Sequence, residues 1–122
     1  SVLDNVLLPS ILYATDEAPA GRARELLDAV GLTDLADAKP TELSGGELRR
    51  MAIARALLME PSIVLADEPT AGLDSANATA VLTLLRDAAN AGAAVLVVSH
   101  EADARHFADR GYTMEDGHLH HQ

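Results

Sequence analysis

Apolar residues first recur at helical spacing and then fuse into short continuous runs, so the chain divides into a helical front and a mixed remainder. Val2, Leu3, Val6 and Leu7 stand at helical spacing behind Ser1, with Asp4 in the first turn, where the helix dipole favours negative charge. This predicts a short helix within residues 1–13, broken near Pro9. Thr15 to Pro19 is polar and turn-like. Gly21 to Val30 puts Leu26, Leu27 and Val30 on one face, and Gly31 supplies the left-handed position that ends such a helix. Asp34, Asp37, Lys39 and Pro40 form a polar connector. Beyond it, Leu48 to Leu58 is built from strong helix formers.

The second half changes period. Ser62 to Ala66 and Ala93 to Val98 are apolar runs rich in β-branched residues, the pattern of parallel strands buried on both faces, which need cover on each side. Between them Asp74 or Ser75 caps a helix reaching about Ala91, with Val81, Leu82, Leu85 and Ala88 as its buried stripe and Gly92 as its stop. Glu101 to Ala108 reads as a short helix. Tyr112 to Glu115 and His118 to His120 flank Asp116-Gly117, a strong hairpin signal.

Composition narrows the picture. The chain of 122 residues is about one domain long, and its 48% hydrophobic content with only 2% aromatics requires an aliphatic core. A net charge of −10 disfavours broad contact with nucleic acid or an anionic lipid surface, so phosphate ligands would need backbone N–H groups or a metal. Cysteine is absent, which excludes disulfides and thiolate metal sites and fits a reducing cytoplasm. The near-apolar run from Ala91 to Val98 is too short to span a bilayer, and no charged leader precedes an apolar segment. The chain therefore reads as soluble and untargeted, and its start at Ser1 inside a helical pattern points to a piece of a longer protein.

Candidate chemistry lies at the strand tips and one helix start. The first strand ends at Asp67-Glu68-Pro69 and the second at Ser99-His100-Glu101, so both present polar groups on the same edge, where ligands bind open α/β sheets. Ser44-Gly45-Gly46-Glu47 combines an S-x-x-E capping box with two glycines that let an anion approach the free N–H groups of a helix N-terminus. Taken singly, these features also fit an ordinary capped helix, a solvated strand end and a structural histidine. His118 and His120 alternate onto one face, with no further ligand placed by sequence to complete a metal site.

Together the motifs resemble the ATP-binding cassette (ABC) ATPases. Leu43-Ser44-Gly45-Gly46-Glu47 resembles their signature, Ser62 to Glu68 their Walker B strand, Ala71 to Asp74 their D-loop and His100 their switch histidine. Val2-Leu3-Asp4-Asn5-Val6 and Leu65 to Thr70 are most similar to the lipoprotein-releasing and macrolide-exporting group. The resemblance implies an α/β fold, a partial P-loop NTPase (RecA-like) parallel sheet with a small helical subdomain. Residues 1–42 would belong to that subdomain, and 43–122 would hold the signature helix and the C-terminal part of the ATPase core. It also implies ATP and Mg²⁺ as ligands. Asp67 would hold Mg²⁺, Glu68 would act as general base, and His100 would contact the γ-phosphate. Ser44, Gly45 and Gly46, with Glu47 in the commoner glutamine's place, would face the nucleotide of a second ATPase domain, and Asp74 would bridge the halves. Glu47 would do no harm beside phosphate if turned back as the capping partner of Ser44.

One departure is large. No G-x-x-x-x-G-K-[ST] occurs, and the only lysine is Lys39. The expectation is therefore the C-terminal portion of a cassette, inactive alone, whose complete domain couples ATP binding and hydrolysis to membrane transport. Its partners would be a second ATPase domain and a transmembrane permease, with no nucleic acid, and its place the inner face of the cell membrane. The competing readings are a soluble ABC-type ATPase of translation or DNA repair, and a non-catalytic dimerisation or regulatory module. The coiled-coil insertions and long linkers usual in the soluble class do not occur here.

Overall fold

Ser1 starts the first helix by accepting the Asp4 N–H on its hydroxyl at 3.1 Å, and the connector finishes the capping. The carbonyls of Ala38 and Ala36 take the N–H groups of Val2 and Leu3 at 2.8 and 2.9 Å, so donors that a helix start leaves orphaned are satisfied from thirty-odd residues away. In the computed structural model, which describes residues 1–13 and 19–122, this helix α1 spans Val2–Leu12. The expected break at Pro9 does not occur. Interior proline costs a helix about 3 kcal/mol. Here Val2, Val6 and Ser10 form a buried face, and the Ser10 hydroxyl donates to the Leu7 carbonyl at 2.6 Å across the weakened turn. Most of the turn expected from Thr15 to Pro19 lies outside the described residues.

Helix α2 (Ala20–Ala29) buries Ala23, Leu26 and Leu27, and Gly31 closes it at φ +73°. The connector then makes two 3-10 turns, Thr33–Leu35 and Pro40–Glu42. Helix α3 (Gly45–Leu57) packs on both earlier helices, and α2 caps its far end. There Arg22 donates to the carbonyls of Leu58 and Leu57 at 2.9 and 2.8 Å, placing a cation at the negative pole of the helix.

Strand β1 (Ile63–Asp67), helix α4 (Ser75–Asn90) and strand β2 (Ala94–Val98) form a β-α-β crossover with the strands parallel and adjacent. Val64 joins the core of the three front helices, together with Val81 and Leu85 of α4, and Ala66, Val95 and Val97 pack against it. A single aliphatic core thus serves helices and sheet alike. The other sheet face differs from expectation. Ile63 and Leu65 are 67% and 75% exposed, and Leu96 and Val98 59% and 53%, because the helices that contact the sheet all lie against its opposite face.

The segment after β2 is a six-residue 3-10 turn (Ala102–Phe107) rather than an α-helix. It buries no residue, so nothing offsets the cost of nucleating a longer helix. Arg86 of α4 holds it by donating to the Phe107 carbonyl at 3.2 Å and pairing with Asp109 at 3.0 Å. Strands β3 (Tyr112–Glu115) and β4 (His118–His121) make the expected antiparallel hairpin, with Asp116 at φ +49° and Gly117 at φ +79°. Both central residues in the left-handed region define a type I′ turn. Among the described residues no helix is long and apolar enough to cross a membrane.

Burying each of Ile63, Leu65, Leu96 and Val98 would return about 1.5–3 kcal/mol, so that face is a strong driver of association. The 122-residue chain purified alone is expected to bind a hydrophobic dye, elute as oligomers and show no upward melting shift with Mg-ATP. Replacing Leu65 and Leu96 with threonine should lower dye binding and association. A monodisperse, dye-silent wild-type chain would contradict this reading of the bare face.

Candidate functional site

The register of β1 on β2 builds the first half of the site. Asp67 pairs with Val98 at the end of the ladder, and Glu68 adds one more bond, its N–H donating to the Val98 carbonyl at 2.7 Å. Glu68 then takes φ +50°, a conformation rarely adopted by residues other than glycine. That kink ends the strand, and the buried Pro69 and Thr70 follow it. The Glu68 carboxylate is left beside the end of β2, where Oε1 meets the His100 ring at Nδ1 and Oε2 faces the His100 N–H at 3.5 Å. The two strand tips converge on one edge, as the apolar runs imply.

This pair shifts both titrations. The hydrogen bond from the His100 ring holds the Glu68 carboxyl below its ordinary value, against a smaller opposing effect of burial and with help from the His100 N–H and charge. The same bond, then the Glu68 charge, raises His100 above its ordinary 6.5, with lesser support from Asp67 and Glu101. Each partner thus favours the charged form of the other.

Asp67 is exposed at the same tip, and among the described residues its carboxylate has no hydrogen bond or ion pair. No group of three or more His, Cys, Asp or Glu side chains among them could enclose a metal ion. One free carboxylate fits Mg²⁺, which binds through one or two carboxylates and substrate phosphates while keeping much of its water.

The second half of the site is the start of α3. Ser44 accepts the Glu47 N–H on its hydroxyl at 3.2 Å, and Glu47 returns its carboxylate to the Ser44 N–H at 2.9 Å. The capping box is complete. Those bonds, backbone first, hold the Glu47 carboxyl below its ordinary value, with Arg50 adding a favourable charge against a smaller burial effect. Glu47 is thus turned back along its own turn, and the N–H groups of Gly45 and Gly46 keep the open side. A Cβ on Gly45 would meet nothing within 4 Å, whereas one on Gly46 would come within 3.0 Å of Leu73. Glycine at 46 lets the loop before α4 lie against the helix start.

That loop ends at Asp74, which caps α4 by accepting the Asn77 N–H at 2.8 Å. Arg49 of α3 donates to the Ala71 carbonyl, a second tie between loop and helix start. The predicted residues therefore fall into two clusters, Asp67, Glu68 and His100 at the strand tips, and Ser44 to Glu47 with Asp74 beside α3. Among the described residues no hydrogen bond or ion pair joins one cluster to the other. Sequence reading missed Arg49, Arg50 and the left-handed Glu68. Arg50 carried a signal, because it shares a helix face with Ala54 and Leu57, both buried, where a cation is out of place.

A parallel β-α-β unit whose tips carry a carboxylate pair and a histidine, beside a glycine-opened helix start, defines part of a P-loop NTPase fold. The sequence pattern of the family described as ABC transporter matches residues 1–71, and the chain belongs to that family. It is 46% identical over 121 residues to the lipoprotein-releasing system ATP-binding protein LolD of Shewanella sp. (strain MR-4), covering 98% of this chain and 52% of LolD. It is 42% identical over 117 residues to the macrolide export ATP-binding/permease protein MacB of Chlorobaculum tepidum, covering 96% of this chain and 18% of MacB. Among solved structures, the dimeric structure of MJ0796, a bacterial ABC transporter cassette, superposes with a TM-score of 0.84 at 38% identity, over 96% of this chain and 53% of that one. The same cassette has been solved in a post-hydrolysis state bound to ADP and Pi, with a TM-score of 0.83. The chain spans about half the length of the LolD relatives it matches.

The paired shifts set a pH window. Glu68 contributes stability above its ordinary 4.5, lost as pH falls through its lowered value. His100 contributes below its ordinary 6.5, lost as pH rises through its raised value. The pair is complete between those limits. An NMR titration of the His100 ring is expected to show a midpoint above 6.5 that moves back toward it in Glu68→Gln. An unchanged midpoint in the variant would show that the pair does not form in solution.

Proposed function

We propose that this chain is part of the ATP-hydrolysing subunit of an ABC transporter of the lipoprotein-releasing and macrolide-exporting kind, coupling ATP binding and hydrolysis to membrane transport. The observation that carries the reading is the convergence of Asp67, Glu68 and His100 on one sheet edge, within a fold shared with cassettes that bind ADP and Pi. Residues 1–42 act as part of the helical subdomain and 43–122 as the signature helix and C-terminal part of the core.

In this mechanism Glu68 orients the attacking water and takes its proton as the oxygen bonds to the γ-phosphorus and ADP leaves. The contact with His100 fixes the position of the carboxylate at the strand tip. His100 supplies a donor to the γ-phosphate and helps place the water. Asp67 is the carboxylate that would hold Mg²⁺, and the ion, when bound, would supply positive charge beside the phosphates. The open N–H groups of Gly45 and Gly46 and the Ser44 hydroxyl bind the γ-phosphate of the nucleotide held by a second ATPase domain, at the positive end of α3. Glu47 supports them by fixing the Ser44 turn. Asp74 meets the partner domain near the seam. A transmembrane permease partner places the subunit at the cytoplasmic face of the membrane.

In a complete cassette carrying these residues, Glu68→Gln is expected to lower ATP turnover by about 10²–10⁴ while nucleotide still binds, because the amide keeps the shape but cannot take a proton. The nucleotide-bound dimer should accumulate. Near-normal steady-state turnover would remove Glu68 from the role of base.

Mixing subunits altered at Ser44 with subunits whose phosphate-binding loop is disabled should restore part of the activity that each lacks alone. One composite site then carries both lesions and the other neither. Crosslinking of Ser44 to the nucleotide of its own chain would reject the arrangement.

A further inference from the structure

Arg50 is only 8% exposed and, among the described residues, forms no ion pair, although a guanidinium removed from water is costly unless its donors are met. It meets neutral acceptors in three elements. Nη1 donates to the Val30 carbonyl at the end of α2 at 2.8 Å and to Asn77 Oδ1 on the first turn of α4 at 3.0 Å, and Nε reaches the Gly46 carbonyl at 3.4 Å. The fork of one side chain thus spans the helical front, the glycine turn and the helix that the loop feeds.

Asn77 continues the chain of bonds. Its backbone N–H already caps α4 through Asp74, so its side chain is not needed for the cap. That side chain instead faces Arg50 with one end and, through Nδ2 at 3.3 Å, the second Asp74 oxygen with the other. The chemistry fixes the amide's orientation, since only its oxygen can face a cation and only its nitrogen a carboxylate. An aspartate here would repel Asp74, and an alanine would disconnect it from Arg50.

We propose that Arg50 and Asn77 are positioning residues that lock the Ser44-Gly45-Gly46 turn to the loop ending at Asp74, so that the two elements move as one body. The Arg49 bond to the Ala71 carbonyl and the close approach of Leu73 to Gly46 reinforce the lock. The consequence rests on the proposed function. A change felt by the phosphate-binding turn reaches Asp74, and through it the dimer seam, without passing through Glu68 or His100.

The test uses Asn77→Ala in a complete cassette, because Arg50→Ala would strip the buried Val30 carbonyl of its donor and threaten folding. Native-state hydrogen exchange is read at two protected amides, Leu73, bonded to the Thr70 carbonyl at 3.1 Å, and Leu48, bonded to the Ser44 carbonyl at 2.9 Å. Both should exchange about tenfold faster in the variant, with the middle of α3 and α4 unchanged. The kcat for ATP should fall about threefold to tenfold, with KM held within about twofold, as misplaced groups rather than lost binding predict. Asn77→Asp should speed Leu73 while sparing Leu48, since it keeps the Arg50 side of the bridge and breaks the Asp74 side. Unchanged exchange at both amides would overturn the proposal, as would uniform acceleration with a lowered melting temperature, the mark of a merely structural residue. Exchange requires no turnover, so an inactive parent cassette would sink the functional reading and leave this one to be decided by the amides.

Discussion

One parallel register governs the site. Ile63 lies against Ala94 and Asp67 against Val98, and the extra bond from the Glu68 N–H to the Val98 carbonyl carries the ladder one residue further. Side chains alternate along a strand, so a slip of β1 by one residue would move Val64 and Ala66 off the core and put Ile63 and Leu65 there instead. The core therefore enforces the register, and the register brings Glu68 to His100. The left-handed backbone at Glu68, a cost elsewhere in a chain, is held in place by the ladder on one side and the buried Pro69 and Thr70 on the other.

Cations do most of the long-range fastening in this acidic chain. Arg22 caps α3, Arg55 donates to the Asn5 amide at 2.6 Å, Arg86 ties the turn after β2 to α4, and Arg49 and Arg50 tie α3 to the loop before α4. Most of these bonds end on carbonyl or amide oxygens rather than on carboxylates. That choice leaves Asp67 and Asp74 free of structural arginines, although the chain carries nine basic against nineteen acidic side chains.

The two faces of the parallel pair express the same economy differently. Its inner face shares one aliphatic core with four helices, while the outer face presents Ile63, Leu65, Leu96 and Val98 to solvent. Both runs are apolar on both sides, the composition of strands meant to be sandwiched.

The sequence by itself determined the elements whose signals are local. The capping box at Ser44 and Glu47, the Asp74 cap, the type I′ turn at Asp116-Gly117 and the two apolar strands are each written within a few neighbouring residues, because hydrogen bonds of short span and backbone preference decide them. The motif order was legible for the same reason. Tertiary structure decided what depends on distant partners. Helix α1 runs through Pro9 because α3 and the connector hold its face and its start, and the segment after β2 stays a 3-10 turn because nothing buries it. Only the fold could show that Arg50 bridges three elements or that Glu68 adopts φ +50°, since the acceptors and the ladder that impose these states lie tens of residues away. Local propensity carries no record of a partner that arrives only when the chain has packed.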